Sequence, residues 1–396
     1  MLQHGDMRNW KLCKMKLGGM MNRKTLVSAN LALLLMMLAA CGMNSENKGR
    51  EDSAVQNVVV NASVRKTGQY PEQFIVTISD EKDLTGMSLG GEDFHMTGNA
   101  GMWGSSDTRP FSAEFEQAEI DGNTLILTPK SFPEKFFYVR DFMVICDKDE
   151  ALYFTEQDVS EIRTPVADNF ETIGEDGDVL RYRLFTPEKK ENMPAVVVFH
   201  GFGDTNNLLT YRTAVEWAEP ENQKVRPCYV IAPVIDDKTY YSNRKPVFET
   251  LKALLDEMIR DGRVDPNSIY VMGNSFGGMS SIEFAELYPD TAAGVLALCP
   301  ALNYSPEAVE NLDKMKDVPI WFAHAANDNT IPAEESRKAV EKLKQLGAKD
   351  VHFTEYSDEE MNAAGADGNP DSTYSYHHVE LAVMEDDAYM EWLYSR

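Results

Sequence analysis

The chain has 396 residues, 43% hydrophobic and 26% charged, the composition of a globular protein with room for two domains and an ample core. It carries 64 acidic against 38 basic residues, a net charge of −26. That balance argues against nucleic acid as a partner, because such affinity rests on basic contacts to phosphate, and it describes a soluble, self-repelling surface.

In chain order, the N-terminus reads as a targeting segment. Arg23 and Lys24 precede the apolar run Leu26 to Leu38, which is too short for a comfortable membrane span. Residues 1–40 are therefore expected to be a signal peptide, with Met20 or Met21 as an alternative start. The run ends in Leu38-Ala39-Ala40-Cys41, which resembles a bacterial lipoprotein lipobox. The resemblance implies cleavage before Cys41, diacylation of its sulfur, and a chain anchored in a bacterial cell envelope. Loss of the leader would remove six basic residues and one acidic one, leaving the mature chain more acidic still. Residues 41–56 are polar and read as a flexible lipidated tether.

Residues 57–165 change character. Val58 to Val60, Phe74 to Ile78, Thr124 to Leu127 and Phe137 to Val139 are short strand candidates punctuated by Gly, Asn and Asp, with no helical period. A small all-β sandwich is expected there. His95 is its lone histidine and carries no chemistry by itself. From residue 166 onward strands and helices alternate. Ala195 to Phe199, Tyr229 to Ala232, Ser268 to Met272, Gly294 to Leu298 and Pro319 to Ala323 are apolar runs suited to a buried sheet, and the strand Val351 to Tyr356 closes the series. Helices are expected over Val247 to Ile259 and through Ala339, Val340, Leu343 and Leu346, the latter ended by Gly347. The expected fold of residues 166–396 is thus α/β with a mostly parallel sheet.

Gly273-Asn274-Ser275-Phe276-Gly277 joins one of those strands to a helix with Gly278, Ile282 and Ala285 at helical spacing. A serine between glycines at such a turn is a nucleophile elbow, whose glycines are needed because the turn leaves no space for side chains. A serine nucleophile needs a base, and the base needs an acid to orient it. Asp328 follows the strand Pro319 to Ala323 and stands on the same rim as the elbow. Of the later histidines, His324 precedes the acid and so has the wrong chain order, and His352 alternates outward on a strand. His377 and His378 lie beyond the last strand, where the base belongs. His200-Gly201-Phe202-Gly203 ends another strand, and the N–H groups of Phe202 and Phe276 are the candidate oxyanion donors.

Cys146, Cys228 and Cys299 lie in or beside apolar runs and read as buried free thiols, although an oxidising compartment would also allow one disulfide. With no C-x-x-C pair, HExxH motif or Walker-type loop, no metal and no cofactor is expected.

Several ordered stretches carry a family resemblance: MPAVVVFHGFGD from 193, AEPENQKVRPCYVIAP from 218, SIYVMGNSFGGMSS from 268, DVPIWFAHAANDNTIPAEESRKAVEKL from 317, and YMEWLYSR at the end. Residues 166–396 resemble the α/β-hydrolase serine esterases described as predicted peptidases or phospholipase/carboxylesterase-like proteins. Some of these carry an N-terminal immunoglobulin-like domain, with which residues 57–165 are compatible. The resemblance implies Ser275 as nucleophile, Asp328 as acid and, shortly before Trp392-Leu393, His377 in preference to His378 as base. Where the family has glycine before that histidine and a tryptophan soon after, this chain has Tyr376 and then His378-Val379-Glu380.

The expected function is hydrolysis of carboxylic esters, small molecules or acylated oligosaccharides, through an acyl-enzyme. The alternatives are a serine peptidase and a catalytically silent surface binding protein on a hydrolase scaffold. The β domain would position the enzyme, cover the site's edge or form a homo-oligomer.

Overall fold

The structure is a computed structural model that describes residues 53–396 except 103–107, 131, 133–136, 204–208, 210–211, 367 and 370–373. The expected signal peptide, Cys41 and most of the tether lie outside the described residues. Strand β1 already starts at Val55, two residues before the expected start of the β domain at 57.

Eight strands build the first body: β1 (Val55–Arg65), β2 (Gly68–Ile78), β3 (Phe94–Met102), β4 (Thr108–Asp121), β5 (Thr124–Pro129), β6 (Phe137–Cys146), β7 (Tyr153–Thr155) and β8 (Val159–Arg163). Their order is β7-β6-β3-β4-β5-β2-β1-β8, antiparallel except for β1 against β8. β4 carries the turn of the sheet. Its first half pairs with β3, its second half with β5, and the register slips between Phe115 and Gln117. The slip lets the two halves of the sheet face each other over one core of Val58, Phe74, Val76, Leu127, Phe94, Val144 and Phe154. Ala54 N–H donates to Ala151 O at 2.8 Å, tying the start of β1 to the turn before β7.

The second sheet runs β16-β15-β14-β13-β11-β12-β10-β9, from β9 (Glu171–Ile173), β10 (Arg181–Phe185), β11 (Met193–Phe199), β12 (Tyr229–Val234), β13 (Val264–Asn274), β14 (Gly294–Leu298), β15 (Ile320–Ala325) and β16 (Val351–Tyr356). β11 to β16 are parallel, and β10 is antiparallel to both its neighbours. Alternation decides which layer each side chain enters. Val197, Phe199, Ile269 and Val271 face one core with the helices Lys245–Arg260, Phe276–Leu287 and Glu334–Gln345. Val196, Val198, Tyr270 and Met272 face the other, with the helices Arg212–Ala218 and Asp387–Tyr394. Both faces are covered, so these strands are apolar throughout and legible as runs. In contrast, β4 (TRPFSAEFEQAEID) and β10 (RYRLF) alternate polar and apolar residues at edges or exposed faces, and no run marks them.

The strands of the first body end at Arg163 and those of the second sheet begin at Glu171, either side of the junction expected at 165. Gln69 Nε2 donates to Thr164 Oγ1 at 2.5 Å in the junction, and Lys66 Nζ lies 3.5 Å from Glu385 of the second body. Cys146, Cys228 and Cys299 are free and buried. Among the described residues no helix is long and apolar enough to cross a membrane.

One core feature makes stability depend on pH. Glu286, on the helix Phe276–Leu287, is buried and its Oε1 has no partner. Burial above all, then Glu283 and Asp313 against Lys314 and Lys342, pushes its carboxyl up to about 9 from 4.5. Between those values the folded chain holds a proton that the unfolded chain releases, so stability falls as pH rises through that window. Glu286→Gln is expected to raise the melting temperature at pH 8 and to change it little at pH 4. Equal shifts at the two pH values would refute that assignment.

Candidate active site

β11 and β13 are neighbours, while β12 lies on the far side of β11, so the strand order reverses here. Crevices at the carboxyl ends of strands form at such a reversal. β13 delivers Ser275 to it. Ser275 has φ 56° and ψ −118°, a conformation that side chains other than glycine avoid. It is held there by three hydrogen bonds: its N–H donates to Leu298 O (2.9 Å), and its C=O accepts from Met279 N–H (3.1 Å) and Ala301 N–H (3.0 Å). The flanking glycines are sterically required. A Cβ on Gly277 would stand 2.1 Å from Phe199 O, and one on Gly273 2.4 Å from the same atom. Both would press on the backbone of β11, which cannot move aside.

His377 joins Ser275 to Asp328. Ser275 Oγ lies 3.0 Å from His377 Nε2, and His377 Nδ1 lies 2.8 Å from Asp328 Oδ2. A ring nitrogen facing a carboxylate carries the proton, so Nδ1–H donates to Asp328 and Nε2 is free to accept from the serine. His378, the other candidate, turns to Glu380 at 2.9 Å. The histidine loop is fastened at its backbone. His377 N–H donates to Tyr374 O, Asn329 N–H donates to Ser375 O (both 3.0 Å), and the Cys299 thiol donates to His377 O at 3.2 Å. Tyr376, at the position where the resembling family has glycine, has φ 56°. The backbone demands the left-handed region there. Tyr376 meets the demand by burying its ring and donating its hydroxyl to Asn362 Oδ1 at 3.3 Å.

Asp328 is buried and fully engaged. Its Oδ1 accepts from the backbone N–H groups of Thr330 (2.7 Å) and Ile331 (2.9 Å). Its Oδ2 faces His377 and, at 3.4 Å, His324 Nε2. Burial alone would raise this carboxyl, but hydrogen bonds from His324, His377 and Ile331 together outweigh it and hold it at about 2. His324, set aside in the sequence on chain order, therefore belongs to the site. Its Nε2 also lies 2.9 Å from Ile331 O and its Nδ1 2.8 Å from Ser336 Oγ. The Ile331 carbonyl, which can only accept, places the proton on Nε2, whose nearer acceptor is Ile331 O with Asp328 Oδ2 at 3.4 Å beside it. The spacing of four between His324 and Asp328, across a strand end, was the available signal.

Phe202 and Phe276 are brought together, their rings 5.5 Å apart. Neither backbone N–H has an acceptor among the described residues. The turn that presents Phe202 is braced by His200. Burial lowers that imidazole to about 4, so it is neutral; Nδ1–H donates to Gly201 O (2.6 Å) and Nε2 accepts from Ile235 N–H (2.9 Å). The Tyr240 hydroxyl donates to His200 O at 2.5 Å. The role of His200 as a brace was not legible from its place before two glycines.

Cys299, Asp328 and His377 also form the one set of donor atoms close enough for a metal among the described residues. Burial holds the Cys299 thiol well above its usual range, so it is no thiolate ligand, and the other two atoms are hydrogen-bonded to each other.

Both a family model and a solved structure resemble this chain. Residues 229–364 match the family model described as phospholipase/carboxylesterase. Acyl-protein thioesterase 1 of Emericella nidulans is 32% identical over 111 residues, 26% of this chain and 44% of that protein. Carboxylesterase SOBER1 of Arabidopsis thaliana is 27% identical over 105 residues, 26% of this chain and 46% of that protein. The chain thus spans less than half the length of these curated relatives. The crystal structure of a thermostable esterase superposes with a TM-score of 0.64 at 22% identity, covering 86% of this chain and 99% of that one. Residues 166–396 alone could not supply that share, so the likeness of fold extends through the first body. The fold is that of the α/β-hydrolase esterases, and the stretch from 229 to 364, which contains Ser275 and Asp328, is similar to the phospholipase/carboxylesterase family.

Proposed function

We propose that the protein is a serine hydrolase that cleaves carboxylic esters through an acyl-enzyme. The observation that carries this reading is the hydrogen-bonded run from Asp328 through His377 to Ser275, placed on a strained turn at the carboxyl rim of a parallel sheet. In the proposed reaction Ser275 Oγ attacks the ester carbonyl while His377 Nε2 takes its proton. The Phe202 and Phe276 N–H groups receive the negative oxygen, aided by the N-terminus of the helix Phe276–Leu287. The carbon–oxygen bond breaks as His377 returns the proton to the departing alcohol. Water, deprotonated by the same nitrogen, then releases the acid and restores Ser275. The test is turnover of p-nitrophenyl acetate together with labelling by a fluorophosphonate. A chain that does neither is not a serine hydrolase.

Three finer readings extend this proposal. Leu38-Ala39-Ala40-Cys41 supports lipid anchorage through Cys41 in a bacterial envelope. Cys41→Ala is expected to move the protein from the membrane pellet to the soluble fraction, and an unchanged distribution would refute it. An acylated carbohydrate is the proposed alcohol part, and the packed β layers of residues 57–165 support an immunoglobulin-like body. Release of acid from acylated oligosaccharides tests the first, and an experimental strand order unlike an immunoglobulin sandwich would refute the second.

A further inference from the structure

Eight large hydrophobic side chains are exposed among the described residues, and the four aromatic ones, Phe202, Tyr241, Tyr304 and Tyr374, each pack against a neighbour in sequence or in space of the Ser275–His377 pair. Three of them surround Phe276, the residue after the serine, with ring centres 5.5 Å (Phe202), 5.4 Å (Tyr241) and 5.1 Å (Tyr304) from its own. Phe202 and Tyr241 also touch each other at 5.0 Å. The fourth, Tyr374, lies 6.4 Å from the His377 ring. The other exposed side chains, Met143, Val179, Val225 and Leu287, form no such group. Exposed rings cost hydration free energy, and four gathered at one mouth mark a recognition surface rather than scatter.

The platform is rigid. Arg244 makes a two-pronged ion pair with Glu283 at 2.7 Å for each prong and also donates to Tyr240 O, next to Tyr241. Ser305, next to Tyr304, donates to Glu283 Oε1 at 2.6 Å. One carboxylate on the helix that starts at Phe276 therefore fixes the segments bearing both tyrosines.

Direction follows from the chemistry. His377 must reach the departing oxygen, so the alcohol part lies on the His377 side. The carbonyl oxygen points to the Phe202 and Phe276 N–H groups, and the acyl part leaves the carbonyl carbon away from His377. Phe202 and Phe276, whose N–H groups take the carbonyl oxygen, carry the rings against which Tyr241 and Tyr304 pack, so this cluster adjoins the acyl carbon. The rings of Phe202, Tyr241 and Tyr304 are tilted by 43° to 76° to Phe276 and to each other, offering both faces and edges. A flat π-system packs against such faces and edges beyond what its area alone supplies, which a saturated chain of the same size does not.

We propose that the acyl part of the substrate is a planar aryl acid, a ring joined to the ester carbonyl by a short linker, seated on Phe202, Tyr241 and Tyr304. The inference rests on the ester-hydrolase reading above. The experiment compares kcat/KM of the full chain for ethyl 3-phenylpropanoate and ethyl 3-cyclohexylpropanoate, whose acyl parts differ only in aromaticity, with ethyl acetate and fluorophosphonate labelling run alongside. The expected result is a preference for the phenyl ester of about fivefold or more, the scale of an aromatic pairing. Tyr241→Leu combined with Tyr304→Leu, which keeps apolar bulk and removes the rings, is expected to bring that ratio close to one while Ser275 still labels. Val225→Ser, an exposed apolar change just before β12 and so on the opposite rim, is expected to leave the ratio unchanged. Equal rates for the two esters, or a ratio that survives the double substitution, would overturn the aryl proposal alone. Failure of every ester and of labelling would overturn the hydrolase reading and this inference with it.

Discussion

Ser275→Ala is expected to lower ester turnover by about 10⁴- to 10⁶-fold, the loss that follows when the nucleophile of such a triad is removed. The size of the effect reflects what the hydroxyl alone supplies. His377 keeps its bond to Asp328, and the Phe202 and Phe276 N–H groups keep their places, yet no oxygen stands 3.0 Å from His377 Nε2 to form the acyl-enzyme. The fold should survive. The three backbone hydrogen bonds that hold residue 275 at positive φ use its N–H and C=O, which alanine retains. The measurement is kcat on p-nitrophenyl acetate with labelling and a melting curve on the same sample. A variant that melts like the parent but keeps more than about a hundredth of the turnover would show that another residue performs the attack.

Asp328→Asn is expected to cost about 10⁴-fold in kcat, although it changes one atom. The backbone N–H groups of Thr330 and Ile331 both donate to Oδ1 and fix which way an asparagine must turn. Its oxygen would stay with those donors, which leaves its NH₂ facing His377 Nδ1 and His324 Nε2. Two donors would then meet a third, and His377 could relieve the clash only by moving its proton to Nε2. A proton on Nε2 cannot be taken from Ser275, so the base is lost while the geometry remains. The test is the pair of rate and labelling measurements, with KM for a short ester as control. Retention of more than a tenth of kcat would mean that the imidazole keeps its tautomer without the carboxylate. The low carboxyl of about 2 adds a limit on the acid side. Asp328 keeps its charge down to that range, so loss of activity between pH 4 and 6 should not be traced to this group.

Much of this was readable because it is local. The central parallel strands are buried on both faces and so appear as apolar runs, and Gly294 to Leu298 coincides with β14 residue for residue; Val351 to Tyr356 likewise coincides with β16, an edge strand that alternates instead. The elbow could be read because a turn that brings Gly277 within 2.1 Å of Phe199 O for a notional Cβ tolerates no other residue there. Strands β4, β9 and β10 went unread because each has an exposed face or edge, where hydrogen bonding to a neighbour rather than apolar content makes the strand. Tyr376 is a different case. Glycine is the usual answer to positive φ, and this chain answers with a buried ring instead, so the local pattern changed while the backbone did not.

Residue types and their order along the chain determined which groups could act: one serine on an elbow, one acid after a strand, two adjacent histidines beyond the last strand. The resemblance favoured His377 over His378, but only tertiary structure brings His377 to Ser275, 102 residues away, and sets His324 Nε2 3.4 Å from Asp328. Tertiary structure alone gathered Phe202, Tyr241 and Tyr304 around the ring of Phe276 and set Tyr374 beside His377. The physical reason is that secondary structure follows from neighbours a few residues apart, whereas a site is made by loops that the sheet order brings to one rim, and no short-range pattern records that order.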